Sequence, residues 1–250
     1  MIKIYNNKVE EIIHQIKNNS IDLTITSPPY NVDLGNNKNN KNSYDIYNDN
    51  KNHKDYLHWL QCIFSAIYVK TKKGGRCAIN IGDGKNGKIP THSDIIQFMS
   101  DMGWMPMANI LWNKNNVSSR TAWGSFQSPS CPSFPTPFEY ILVFAKENIK
   151  LQYKGETDLT KKEFIEWTYS MWNITGESKK KIGHPAPFPI EIPYRLIKML
   201  SWKDALIFDP FLGSGTTAIA SKKLNRRFIG SEMSEEYYKI IQKRLEETEI

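Results

Sequence analysis

The segment around residues 205–232 limits the possible folds more than any other. A short apolar run (205–208) leads into Asp209-Pro210-Phe211-Leu212-Gly213-Ser214-Gly215-Thr216-Thr217. An amphipathic stretch (217–224), a second short apolar run (228–230) and Glu232 follow. Strand, glycine-bracketed turn, helix and strand in that order make a βαβ unit, whose strands lie parallel and whose helix crosses over them. A chain containing such a unit is committed to an α/β sheet covered by helices.

The rest of the chain repeats the alternation. Strands are predicted over 2–5, 22–26, 76–81, 110–112 and 140–144, and helices over 9–16, 53–70, 95–102, 190–199 and 235–245. In the 53–70 helix the apolar positions Leu57, Leu60, Ile63, Phe64 and Ile67 recur at helical spacing. Gly74-Gly75 is expected to turn the chain into the 76–81 strand. The expected architecture is a doubly wound, mostly parallel sheet in one catalytic domain spanning 1–250. Three segments break the pattern. Residues 31–52 are Asn/Lys-rich and are expected as a mobile loop. Residues 113–138 and 148–183 are long and carry interleaved aromatic and basic residues, as functional insertions do.

Composition excludes several classes. No apolar run approaches a membrane-spanning length and no signal peptide opens the sequence. The three cysteines, Cys62, Cys77 and Cys131, are widely spaced, which fits a reducing cytoplasm and gives neither a metal site nor a disulfide framework. The 33 Lys and Arg against 26 Asp and Glu leave a net charge of +7, compatible with a phosphate-rich partner but not specific for one.

Two motifs carry chemistry. In the turn, Gly213 and Gly215 let the backbone approach a ligand closely, and Glu232 lies seventeen positions past Gly215. An acid at about that separation can grip ribose hydroxyls. No Gly-Lys-Ser/Thr follows, so this is not a phosphate loop of nucleotide hydrolases. The turn suits a cofactor bearing adenosine. The other motif, Thr26-Ser27-Pro28-Pro29-Tyr30, directly follows a predicted strand, where α/β sheets place ligands. Ser27 and rigid carbonyls beside Pro28 and Pro29 can accept hydrogen bonds, and Tyr30 offers a ring for stacking. Such a pocket suits a planar group carrying NH2. The lone pair of an exocyclic amine is delocalised into its ring, and acceptors gripping both hydrogens localise it for attack.

Together these motifs resemble the amino-methyltransferases of DNA, in which the glycine turn binds S-adenosyl-L-methionine and the Ser-Pro-Pro-Tyr type tetrapeptide is catalytic. The tetrapeptide comes first here, which resembles the circularly permuted β group of restriction-modification systems. The resemblance extends to His184-Pro-Ala-Pro-Phe-Pro189, to Ile110-Leu-Trp-Asn-Lys114, to Trp123-Gly-Ser-Phe126 and to Phe138-Glu-Tyr-Ile-Leu-Val-Phe144. It implies a seven-stranded, Rossmann-like methyltransferase sheet with inserted target-recognition loops. It assigns catalysis to Ser27, Pro28, Pro29 and Tyr30. It assigns the cofactor to Asp209, Pro210, Phe211, Gly213, Ser214, Gly215, Thr216 and Glu232, with Pro185 and Phe188 packing beside it. Many relatives carry Gly-Asp after the first strand; this chain has Asn6-Asn7.

Ser at the first tetrapeptide position resembles enzymes that methylate N4 of cytosine; Asp is usual for N6 of adenine, which stays the alternative. C5 methylation needs a Pro-Cys nucleophile that the sequence lacks. The target base of double-stranded DNA has to be flipped out of the helix. Lys114 and Arg120 are candidates for phosphate or guanine contacts and Asn115 and Asn116 for adenine. Lys179-Lys180-Lys181 reads as a solvated or phosphate-facing run. A cognate restriction endonuclease is the partner the resemblance implies; no metal is expected, and a homodimer is left open. Competing readings are an RNA or protein amino-methyltransferase and a DNA-binding relative without catalysis.

Overall fold

The computed structural model describes residues 1–31, 51–85, 87–115, 124–176 and 189–249. Among the described residues eight strands form one sheet: β1 (Ile2–Tyr5), β2 (Ile21–Thr26), β3 (Thr71–Ile81), β4 (Trp104–Asn113), β5 (Phe138–Lys146), β6 (Met171–Asn173), β7 (Leu206–Asp209) and β8 (Arg227–Ser231). Their order is β1-β8-β7-β2-β3-β5-β4-β6. Only the β3–β5 and β5–β4 pairings are antiparallel. The other five are parallel, as expected.

Seven helices flank the sheet among the described residues: α1 (Val9–Ile12), α2 (His53–Lys70), α3 (Thr91–Asp101), α4 (Lys161–Trp167), α5 (Glu191–Leu200), α6 (Thr216–Lys223) and α7 (Glu235–Glu246). α1 tightens into a 3-10 turn at Ile13–Gln15, so the helix expected over 9–16 is split. None of the described helices is long and apolar enough to cross a membrane.

Alternating side chains of each strand feed two cores. Leu206 and Phe208 of β7 pack with Ile12 of α1, Leu60 and Phe64 of α2 and Met99 of α3. Ile207, between them in sequence, packs on the other face with Ile192 and Leu196 of α5, Ala218 of α6 and Ile241 of α7. The result is three layers, helices on both faces of a buried sheet.

β2 lies between β7 and β3. From β2 the chain runs through α2 to β3 on one side; from β7 it runs through α6 to β8 on the other. The strand order therefore reverses between β2 and β7, and the crevice at their carboxyl ends is where doubly wound sheets bind ligands.

Three expectations need correction. The sheet has eight strands rather than seven, because Met171–Asn173 adds to the edge of β4. β3 begins before the glycine pair: Thr71 pairs with Ile21 and Arg76 with Leu23, so residues 72–75 form a bulge instead of a turn. Gly74 sits there at φ +76°, and a Cβ on it would lie 2.5 Å from the Lys150 carbonyl. The described part of the 148–183 segment is built into the fold, with Trp167 and Trp172 buried. The Arg195 guanidinium lies over both their rings, 5.2 and 5.4 Å from the centroids. Most of the 31–52 segment lies outside the described residues, but its ends are tied. Asn31 donates to the Lys51 carbonyl and accepts from the Lys51 N–H, both at 2.8 Å.

Candidate active site

The tetrapeptide and the glycine turn meet at the crevice. β2 ends at Thr26 because two prolines two residues on supply no ladder donors. The Thr26 hydroxyl donates to Asp209 Oδ1 at 2.7 Å, joining the ends of β2 and β7 directly. Asp209 Oδ1 also accepts the Phe211 N–H at 3.1 Å, and its Oδ2 accepts the Thr217 hydroxyl at 2.7 Å. Asp209 is fully buried, so it shapes the turn from behind rather than lining its open side. Burial pushes its pKa up to about 6, against the lowering by those three hydrogen bonds.

In the turn, Gly213 and Gly215 take positive φ, +55° and +88°. A Cβ on Gly215 would lie 3.0 Å from both Cγ atoms of Ile241, so α7 also crowds that position. The Ser214 carbonyl accepts from Arg244 of α7 at 2.5 Å. Thr216 opens α6. Phe211 packs on Trp59, ring centroids 5.4 Å apart, bringing α2 against the turn that Pro210 begins. Glu232, just past β8, reaches back: Oε2 accepts the Gly213 N–H and Oε1 the Ser234 N–H, each at 2.8 Å. Burial, with a smaller contribution from the nearby Asp209 charge, raises its pKa to about 7 against the lowering by its backbone hydrogen bonds. Asn6, the first residue past β1, donates its amide to the Glu232 carbonyl at 3.0 Å and so belongs to the same edge.

On the other side of β2, Ser27 and Tyr30 enter a polar cluster that sequence reasoning missed. The Ser27 hydroxyl donates to the Tyr30 oxygen at 3.1 Å, and the Tyr30 hydroxyl donates to Glu139 Oε2 at 2.7 Å. Asn80 Nδ2 lies 2.7 Å from both the Tyr30 oxygen and Glu139 Oε2, and 3.4 Å from Ser27 Oγ. The Lys114 ammonium pairs with Glu139 Oε1 and sits over the Trp112 ring. Expected at a phosphate or base edge, Lys114 instead neutralises a buried carboxylate. The Tyr30 ring packs against Gly82, where a Cβ would come within 3.3 Å. Pro29 contributes its carbonyl to the Tyr56 hydroxyl at 2.7 Å, which anchors the tetrapeptide to α2. Among the described residues no hydrogen bond reaches the Pro28 carbonyl. The available acceptors are therefore the Ser27 hydroxyl and the Pro28 carbonyl.

Asn80 and Glu139 carried a signal in the sequence: Asn80 interrupts the apolar run 77–81 at the carboxyl edge of β3, and Glu139 is the one charged residue of 138–145, at the start of antiparallel β5. Asn115 is exposed beyond β4, its N–H on the Asn113 side chain at 3.1 Å. Pro185, Phe188, Arg120, Asn116 and the 179–181 lysines lie outside the described residues.

Residues 21–243 match the DNA methylase family. The type II methyltransferase M.MjaVI of Methanocaldococcus jannaschii is 42% identical over 169 residues, covering 67% of this chain and 83% of that protein. Among solved structures, the DNA modification methylase TTHA0409 of Thermus thermophilus, in complex with S-adenosyl-L-methionine, superposes with a TM-score of 0.75 at 24% identity, over 98% of this chain and 93% of that one. The cytosine-N4-specific PvuII DNA methyltransferase superposes with a TM-score of 0.73 at 20% identity, over 99% and 87%.

Proposed function

Since the chain belongs to the DNA methylase family, we propose that it transfers a methyl group from S-adenosyl-L-methionine to the exocyclic N4 of a cytosine flipped out of double-stranded DNA. The observation that carries this reading is the 2.7 Å bond between Thr26 and Asp209, which holds the amine-gripping tetrapeptide and the glycine turn on one crevice. The residues around the turn fit the cofactor. Gly213 and Gly215 leave its backbone bare. Glu232 accepts backbone N–H groups, those of Gly213 and Ser234 among them, and its two oxygens, with about four lone-pair sites, keep capacity for a ribose hydroxyl. When bound, the cofactor supplies an electrophilic methyl group on a sulfonium.

The remaining work falls to the protein. Ser27 Oγ and the Pro28 carbonyl accept the two amine hydrogens, which localises the nitrogen lone pair and aims it at the methyl carbon. With the cofactor bound, the methyl group would pass from its sulfur to the nitrogen, and the proton the amine then sheds would go to solvent in the open crevice. Tyr30 stacks on the flipped base and offsets part of the few kcal/mol that flipping costs. The 113–138 segment and the outer part of 148–183 are the natural candidates for reading the DNA sequence, and a nuclease of the same specificity is the natural genetic partner. Ser at position 27 and the PvuII likeness favour cytosine over adenine.

The test is to incubate the protein with unmethylated DNA and S-adenosyl-L-methionine, digest to nucleosides and identify the modified base by mass spectrometry. N4-methylcytosine is expected. N6-methyladenine would overturn the choice of base and leave the reaction class. Absence of any methylated nucleoside over a varied set of sequences would overturn the proposal.

A further inference from the structure

A serine hydroxyl is an ambiguous partner for an amino group. It has one proton and two lone pairs, and only the lone pairs can grip N–H. If its proton points at the target amine, the contact is repulsive. Something has to draw that proton away.

The cluster behind Ser27 does this by count of protons. Glu139 is paired with Lys114 through Oε1 and offers Oε2 only as an acceptor. Asn80 is 4% exposed and has two N–H groups, with Tyr30 Oη and Glu139 Oε2 both at 2.7 Å. The opposite amide orientation would set the Asn80 carbonyl against the carboxylate, so the NH2 faces Glu139. Both Asn80 protons are then committed, and Ser27 Oγ, at 3.4 Å, is the weakest of its three neighbours. Tyr30 has one proton, which Glu139 takes at 2.7 Å. The Tyr30 oxygen therefore accepts, from Asn80 and from Ser27 at 3.1 Å. The Ser27 proton is thereby drawn into the cluster, and with Asn80 Nδ2 only at the 3.4 Å limit the hydroxyl is left as an acceptor toward the crevice.

Resting on the amine-methylation reading above, we infer that Glu139, held by Lys114 and Asn80, is a positioning residue that acts through Tyr30 to fix Ser27 as a hydrogen-bond acceptor toward the target amine. Glu139 touches neither the cofactor nor the base in this role. Its effect is confined to the direction of one hydroxyl dipole, so it governs the chemical step and not binding. An aspartate at position 27 is an acceptor in every orientation and would not need the device.

The experiment measures single-turnover methyl transfer to DNA, together with the dissociation constants for S-adenosyl-L-methionine and DNA. The proteins are the natural sequence, Glu139→Gln, Tyr30→Phe, the Glu139→Gln/Tyr30→Phe pair, Ser27→Asp and Ser27→Asp/Glu139→Gln. Glu139→Gln and Tyr30→Phe should each slow the step by about tenfold to a hundredfold, the worth of one oriented hydrogen bond in a transition state. Cofactor affinity should not change. The pair should be no slower than the worse single variant, because both break one relay. In the Ser27→Asp background the Glu139→Gln penalty should shrink below about threefold. An equal penalty in both backgrounds would make Glu139 a merely structural residue and overturn the inference. So would full speed in Glu139→Gln or, should that variant not fold, in Tyr30→Phe. Absence of methyl transfer by the natural sequence itself would instead overturn the function proposed above.

Discussion

Asp209→Asn is the substitution whose outcome the structure constrains most tightly. The carboxyl is fully buried, and burial raises its pKa from 3.8 to about 6. Two pKa units correspond to about 3 kcal/mol of penalty on the charged form. Between about pH 4 and pH 6 the folded protein holds a proton that the unfolded chain has lost. Stability therefore falls as pH rises through that window, and the full penalty applies above it. An asparagine carries no charge to bury. Its Oδ1 still accepts from Thr26 and Phe211, and only the bond to Thr217 must reverse, a cost of about 1 kcal/mol. The variant should be more stable than the natural protein by about 2 kcal/mol at pH 8, from a 3 kcal/mol gain less 1. Near pH 4 the order should reverse by about 1 kcal/mol. Urea unfolding of both proteins at pH steps between 4 and 8 measures the difference, and other titrating groups largely cancel in it. A difference independent of pH, or a less stable variant at pH 8, would refute the claim that desolvation of this charge outweighs its hydrogen bonds.

Three other outcomes follow from named contacts. Glu232→Gln should weaken S-adenosyl-L-methionine binding by about tenfold or more and remove a rise in affinity through about pH 7, where the natural carboxyl ionises, as read by calorimetric titration. Gly215→Ala combines a φ of +88° with a 3.0 Å contact to Ile241, and should cost about 2 kcal/mol in thermal or urea unfolding. Thr160→Ala breaks the capping box at the start of α4 and should cost about 1 kcal/mol of stability while leaving methyl transfer intact.

What the sequence made legible was local. α2 falls at the expected residues 53–70 because an Asn52 cap precedes a continuous apolar stripe. The end of β2 was marked by prolines and the βα turn by glycines. β4 starts six residues earlier than expected, because Trp104–Asn109 includes a proline and weak strand formers. The register shift between Pro106 and Ala108 records the accommodation. α4 is lysine-rich and seven residues long, too short to stand alone. Contacts distant in sequence hold it: Trp167 in the core and Glu163 against Lys198 of α5 at 2.6 Å. The site divides the same way. Ser27 and the glycine turn announce themselves because their backbone chemistry is written in consecutive residues. Asn80, Lys114 and Glu139 belong to three different strand ends, and only the β3–β5–β4 pairing makes them neighbours.

That contrast explains why the chain tolerates having its tetrapeptide near one end and its cofactor turn near the other. β2 and β7 pair in parallel through Leu23 with Ile207 and Thr24 with Phe208, so their carboxyl ends coincide whichever is synthesised first. Each contributes a self-contained strand and turn, and the sheet, not the linking chain, fixes their separation. At the carboxyl ends of the two strands, the bond from Thr26 to Asp209 has its donor immediately before Ser27 and its acceptor at the start of the turn. The same carboxylate that bends the turn therefore also holds the residue preceding the amine acceptor. A change in the shape of the turn has a direct covalent and hydrogen-bonded route of two residues to Ser27.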